Sequence, residues 1–212
     1  VSAPPYPCLL ADPPWRFDDR GSRIAPDHKG KHYPTMSLAA IIGLGDFVRA
    51  HVARNAHLWL WAPNSFVLDG SAQLVARQWG FKPKQLATWI KCQMGMGHWM
   101  RNATEQLIFC TRGQLPPRAR NVVNWITAKR GRHSAKPAES YRLIERISPG
   151  PRLEMFARIQ REGWDVWGNQ APGCTDEETE RVPVSPEAAP PYGDDDDAWT
   201  NHWRGVRSVE AR

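Results

Sequence analysis

The segment Asp12-Pro13-Pro14-Trp15 puts an acid, a rigid carbonyl and a large aromatic ring within four residues. An exocyclic aromatic amine has two N–H donors and a lone pair delocalised into its ring, which makes it a poor nucleophile. The Asp12 carboxylate and the Pro13 carbonyl can accept both N–H groups, favouring a geometry in which that lone pair is available. Trp15 offers a face for a flat heterocycle, and stacking of a nucleobase on such a ring is worth roughly 1–3 kcal/mol. A methyl group carried on a sulfonium, in line with the nitrogen, is then transferred with catalysis supplied by positioning and electrostatics. The carboxylate of Asp12 also complements a cationic donor.

The neighbouring elements must bring these groups to one point. The run "PCLLA" before Asp12 reads as a buried strand, and two prolines end it because neither continues a central ladder. Ser37 is expected to cap a helix running to about Asn55, with Leu38, Ile41, Ile42 and Val48 on its inner side. "HLWLWA" follows as a strand, and Asn64 is expected to cap a second helix that Gly80 ends. "QLATWIK", "EQLIFCT", "VVNWI", "RLEMFA" and "WDVWGN" read as further strands. Pro137 suits the first turn of a helix over "AESYRLIERI", closed by Ser148-Pro149-Gly150. Strands alternating with helices imply an α/β fold: a mostly parallel sheet with helices on both faces and ligands at the carboxyl ends of its strands.

The chain has 212 residues and a formal charge of +6, which conceals a division. Residues 173–212 hold ten acids and four Lys or Arg, a net of −6, so the rest carries 24 bases and 12 acids, a net of +12. Residues 1–172 are read as one basic domain and residues 173–212 as an acidic, Pro-rich tail expected to be disordered. A basic body favours a polyanionic partner. Arg16, Arg20, Arg23, Lys29 and Lys31 crowd one loop, while Arg112, Arg118, Arg120, Lys129, Arg130 and Arg132 crowd later ones. Both groups are expected to frame one groove for a phosphate backbone. No run is long and apolar enough for a membrane span, and Cys8, Cys92, Cys110 and Cys174 lack CxxC spacing. The protein is read as cytosolic with reduced thiols. The seven histidines show no paired ligand spacing, so no metal is expected.

Beyond "ADPPW", the segments "HYPTMS", "LWLWA", "GHWMRNATE", "GRHSAKPAESYRLIERISPG", "RLEMFAR" and "WGNQ" resemble, in order and spacing from about residue 7 to 170, the MT-A seventy family. These are S-adenosylmethionine-dependent N6-adenine methyltransferases. The resemblance implies a three-layer, Rossmann-like methyltransferase fold in permuted order, with the catalytic DPPW first and the cofactor region last. It makes Asp12, Pro13, Pro14 and Trp15 catalytic and puts Tyr33 near the target base. It brings Lys136 to the cofactor carboxylate, Arg158 to the ribose, and Asn169 and Gln170 to the ribose hydroxyls and adenine. Gln160 stands where the best-known relatives have a histidine beside the cofactor. The chain begins eleven residues before Asp12, without the upstream strand and acidic contact of longer relatives, so either a more open cofactor pocket or a truncated start is expected.

Arg16, Lys31, Trp99 and Glu105 join Tyr33 as candidates for contact with substrate, Glu105 as a support at the start of a strand beside the site. His98 lies in the same loop as Trp99. His133 is read as a local hydrogen-bonding residue, because methyl transfer from a sulfonium needs no strong base before attack. The expected activity is therefore N6-adenine methylation of nucleic acid, DNA favoured over RNA. The target base must be flipped or single-stranded, since its amine is paired in a duplex. The alternatives are cytosine N4 methylation and a catalytically silent nucleic-acid-binding subunit.

Overall fold

A computed structural model of the chain describes residues 5–17, 35–95, 99–131 and 135–168. Its elements are β1 (Tyr6–Ala11), α1 (Leu38–Gly43), α2 (Gly45–His51), β2 (Val52–Ala62), α3 (Asn64–Leu68), α4 (Ser71–Gln78), β3 (Lys82–Ile90), β4 (Thr104–Arg112), β5 (Trp125–Thr127), α5 (Ala138–Ile147), β6 (Arg152–Met155) and β7 (Trp164–Trp167). The strands form one sheet in the order β5-β3-β4-β2-β1-β6-β7. β1 runs parallel to β2 and β6, β6 to β7, and β3 to β5, whereas β4 is antiparallel to both of its neighbours. This is the α/β, Rossmann-like arrangement expected, with β4 alone reversed among the described strands.

Alternation along the central strands sends side chains to two cores. Leu9, Ala11, Leu58, Leu60 and Ile108 pack against Ile41, Val48, Val75 and Trp79 on the α1, α2 and α4 side. Cys8, Leu10, Trp59, Trp61 and Leu107 pack against Tyr141, Leu143 and Ile144 of α5. Helices thus cover both faces of the sheet. Among the described residues, no helix is long and apolar enough to cross a membrane.

Several boundaries differ from expectation. Ser37 does cap α1, accepting a bond from the Ala40 amide at 3.2 Å, but the helix breaks at Leu44 and its continuation stops at His51. The following residues open β2, which pairs with β1 from Val52 and with β4 from Ala56, so ladder pairing there outweighs local helix preference. The second helix is split at Asp69 and Gly70; Gly70 has φ 85°, and the Asp69 carboxylate accepts the Ser71 amide at 2.8 Å. Asn64 is not its cap. Pro63 holds that position, and the Asn64 side chain bonds Thr104 and Gln106 at 3.0 Å each, tying α3 to β4. Pro137 likewise stands in the extended residue before α5, one place outside the first turn.

The strand directions decide what meets at the sheet's edges. Ala11 lies beside Leu60 and Met155, Ala62 beside Gln106, and Ile90 beside both Thr104 and Thr127. Asp12, the β3–β4 connection, the residues after β5 and those after β6 therefore share one edge. Arg112, paired with Ala56, falls at the opposite edge, where the Arg118 amide bonds the Ile147 carbonyl at the end of α5. The expected single basic groove is corrected accordingly: the reversal of β4 carries Arg112 and Arg118 away from Asp12. Of the expected residues, Arg16, Lys129 and Arg130 stay on the Asp12 edge, where Lys91 and Arg101 join them, while Arg20, Arg23, Lys29, Lys31 and Arg132 lie outside the described residues.

At that opposite edge Gly113 turns the chain out of β4 with φ 63°. A Cβ there would strike the Asn55 Oδ1 and come within 2.6 Å of the Arg54 carbonyl. Asn55 Oδ1 is already committed to the Gln114 amide at 2.9 Å. Gly113→Ala is expected to destabilise the fold by about 2 kcal/mol, seen as a lower urea midpoint at unchanged slope. Gly43→Ala, in α1 with nothing within 4 Å, serves as the control and is expected to leave stability unchanged or slightly raised.

Candidate active site

Asp12 leaves β1 at the shared edge and its carboxylate meets Lys136, just ahead of α5, at 2.9 Å. The same ammonium lies 2.6 Å from one oxygen of Glu105, near the start of β4, and the other oxygen of Glu105 lies 2.9 Å from Lys91, which follows β3. Four charges alternate in sign along this chain. Side-chain exposure is 28% for Asp12, 10% for Lys136, 16% for Glu105 and 18% for Lys91. The floor is aromatic: Lys136 stands 5.1 Å from the centroid of Trp61 and Lys91 5.0 Å from that of Trp89. These indoles meet edge to face at 6.1 Å.

The carboxylates differ because they share one ammonium but only Glu105 has a second. Burial would raise the Glu105 carboxyl, yet Lys136 and Lys91 outweigh it and hold the group below its ordinary range. Burial raises the Asp12 carboxyl, with the Glu105 charge adding to the rise and Lys136 and Arg158 opposing it. Burial works against the Lys136 charge, but Asp12 and Glu105 prevail and hold its proton well above the usual lysine range. Glu154 of β6 senses the same charges; burial raises its carboxyl, the Tyr141 hydroxyl donates to one oxygen at 2.8 Å, and its other oxygen is buried with no hydrogen-bond partner among the described residues.

Backbone bonds fix the turn after Asp12. The Pro13 carbonyl accepts the Trp15 amide and the Pro14 carbonyl accepts the Met36 amide, both at 2.8 Å. The Trp15 indole N–H donates to the Trp61 carbonyl at 2.9 Å, and its ring is buried against Phe66 with centroids 5.0 Å apart. Trp15 therefore anchors the motif to β2 and α3 and is not a free stacking plate; in this aromatic group the exposed ring is Phe17, which meets Phe66 at 5.1 Å.

The structure brings Asp12, Pro13, Pro14, Trp15, Glu105 and Lys136 together, with the Arg158 charge acting on Asp12. Glu105 is enclosed by two lysines and supports the site. Arg16 is exposed beside the motif, and Trp99, 97% exposed, lies in the β3–β4 connection on the same edge. Gln160 is not gathered to Asp12. Its side chain donates to the Trp164 carbonyl at 2.7 Å and lines an open cleft with Pro151 and Arg152 at the amino ends of β6 and β7. Lys31, Tyr33, His98, His133, Asn169 and Gln170 lie outside the described residues. Lys91, Trp61 and Glu154 were missed. An alternating pattern of buried strands predicts where Trp61 points, but nothing local distinguishes Lys91 from a solvated lysine.

This edge has the chemistry of an amine-alkylating centre, and comparison with known proteins identifies the lineage. Residues 6–170 match the MT-A70 family model. The chain belongs to the MT-A70 family. It is 30% identical over 186 residues to the type II methyltransferase M.MunI of Mycoplasma sp., covering 79% of this chain and 78% of that protein. It is 30% identical over 177 residues to a putative N(6)-adenosine-methyltransferase MT-A70-like protein of Medicago truncatula. It is 26% identical over 186 residues to the human N(6)-adenosine-methyltransferase catalytic subunit METTL3. The last two matches span 26% and 28% of those longer proteins.

Methyltransferases of the MT-A70 family use S-adenosyl-L-methionine, and the donor set here fits it. The cations of Lys136 and Arg158 suit a carboxylate, while Asp12 and the orphan oxygen of Glu154 suit a sulfonium and an ammonium. Gly168 permits the close approach of the segments after β6 and β7, since a Cβ there would lie 3.0 Å from the Phe156 Cα.

Removing one carboxylate from so enclosed a cluster leaves lysine charge uncompensated. Glu105→Gln is expected to lower stability at pH 7 by about 3 kcal/mol. The difference from the parent protein should shrink in acid, because the stabilisation of a depressed carboxyl is present above its unfolded value and is lost as pH falls through its folded value. Urea denaturation across that range measures it.

Proposed function

We propose that this chain methylates the N6 amine of adenine in nucleic acid, with DNA as the favoured substrate. The observation that carries the reading is the Asp12 carboxylate, held at the open edge of the sheet by Lys136 on a turn that Trp15 pins. When bound, S-adenosylmethionine supplies a methyl group on a sulfonium, an electrophile with a neutral thioether as leaving group. Asp12 accepts one N–H of the target amine and turns the nitrogen lone pair toward that methyl. The Pro13 carbonyl, which accepts the Trp15 amide on one lone pair, offers the other to the second N–H. Bound S-adenosylmethionine would supply the methyl of the new N–C bond and release its thioether, and Asp12 stands nearby as acceptor for the surplus proton of the alkylated nitrogen.

The cationic side chains hold the partners. Lys136 and Arg158 are assigned to the cofactor, and Asn169 and Gln170 complete its site. Tyr33, Lys31, Arg16 and Trp99 are assigned to the nucleic acid. Residues 1–172 are taken as the catalytic domain and residues 173–212 as an appended acidic tail. The match to a type II methyltransferase over 78% of that protein's length supports DNA, because the adenosine methyltransferases named above match over about a quarter of theirs. A cytoplasmic location belongs to this reading.

The test is methylation of duplex DNA, single-stranded DNA and RNA with labelled cofactor, followed by mass spectrometry of the nucleosides. N6-methyladenine is expected, falling at least about a hundredfold in Asp12→Ala. The rate should decline in acid at a pH above the ordinary aspartate range, since the carboxyl that must be ionised is raised. Product on cytosine, or undiminished activity in Asp12→Ala, overturns the reading.

A further inference from the structure

The reaction needs an ionised Asp12 in one orientation, yet Asp12 shares its lysine with a competing carboxylate. Glu105 lies closer to Lys136 than Asp12 does, at 2.6 Å against 2.9 Å. Two anions facing one cation leave the less favoured anion poorly neutralised unless another cation satisfies its rival. Lys91 is that cation: it occupies the other oxygen of Glu105 at 2.9 Å.

We propose that Lys91 is a positioning residue for Asp12, acting through Glu105 and Lys136 without touching Asp12 itself. This rests on the assignment of Asp12 as the acceptor of the target amine. The geometry of β3 and β4 holds Lys91 to the task. Trp89 pairs with Glu105 across the ladder, and the Lys91 amide bonds the Ala103 carbonyl at 2.8 Å. The Trp89 ring lies beneath the Lys91 ammonium, and its indole N–H is tied to the Ala128 carbonyl at 2.9 Å. The stem of Lys91 therefore extends from a fixed strand end over a fixed ring. With its charge removed, Glu105 must rely on Lys136 alone, Lys136 is drawn from Asp12, and the Asp12 carboxyl binds its proton more tightly.

The charged groups acting on Asp12 are Lys136 ahead of α5, Glu105 on β4, and Arg158 following β6, while Glu154 on β6 senses both Asp12 and Lys136. None of these side chains is itself replaced in a Lys91 variant and Lys91 is not among the charges acting on Asp12, so a shift at Asp12 reports transmission through Glu105 and Lys136. Sequence reasoning gave Lys91 no role, since a lone lysine after a strand ordinarily faces solvent.

The test uses the full chain and Lys91→Met, which keeps an apolar stem over Trp89 and removes the charge. Carbon NMR of the Asp12 carboxyl, followed against pH without cofactor, is expected to show its midpoint moved to higher pH in Lys91→Met and restored in Lys91→Arg. In methyl transfer at saturating cofactor and nucleic acid, Lys91→Met should lower kcat about tenfold and move the acid limb upward, with KM for nucleic acid little changed. Lys91→Gln provides the same comparison should the methionine variant not fold. An Asp12 midpoint unmoved in a folded, charge-neutral variant overturns the inference and leaves the assigned reaction intact. Undiminished methylation by Asp12→Asn would instead overturn the role of Asp12, and the NMR result would stand by itself.

Discussion

One ammonium serving two carboxylates is the constraint around which this edge of the sheet is built. A buried lysine is tolerable only with counter-charges close by, and buried carboxylates carry the converse requirement. Lys136 meets both needs by joining the end of β1 to the start of β4, with Trp61 of β2, the strand between them, beneath it. The pair is unequal. Glu105, with two lysines, remains firmly ionised, while Asp12, with one shared lysine, is left with a raised proton affinity and part of its surface open. A carboxylate so placed accepts hydrogen bonds while opposing full burial of its charge.

The reversed strand β4 makes this arrangement possible. Running antiparallel between β2 and β3, it begins at the edge where the others end, so Thr104, Glu105 and Gln106 enter beside Asp12. Gln106 and Asn64 then lock β4 to the start of α3, and α3 supplies Phe66 as the surface on which Trp15 rests. The same reversal removes Arg112 and Arg118 from the edge. Direction in a sheet thus sorts basic residues into those that flank Asp12 and those that lie at the opposite end of the strands.

Tryptophan does much of the positioning. Trp15 bonds the Trp61 carbonyl, Trp61 and Trp89 underlie the two lysines, and Trp59 donates to Ser148 at the far edge, where His57 also bonds Ser148. These large rigid rings fill the space beside the strands, and the indole N–H groups of Trp15, Trp59 and Trp89 each fasten a separate segment. Burial lowers the His57 proton affinity. Its two ring nitrogens are taken by Ser148 and the Leu115 carbonyl, so it belongs to the core and not to catalysis.

The amino-acid sequence by itself determined the α/β class, the end of the first strand, the α5 segment and the identity of the DPPW motif. Those signals are local: proline stops a ladder, and apolar residues keep the period of the element they occupy. It also brought Lys136 and Glu105 under suspicion through their family positions, but not their partnership. Only the tertiary structure decided that Trp15 is a buried anchor, that Lys91 closes the charge chain, that Gln160 faces Trp164, and that Arg112 lies at the wrong edge. Each of these depends on which strand lies beside which and in what direction, and pairing between residues distant in the chain has no local signature.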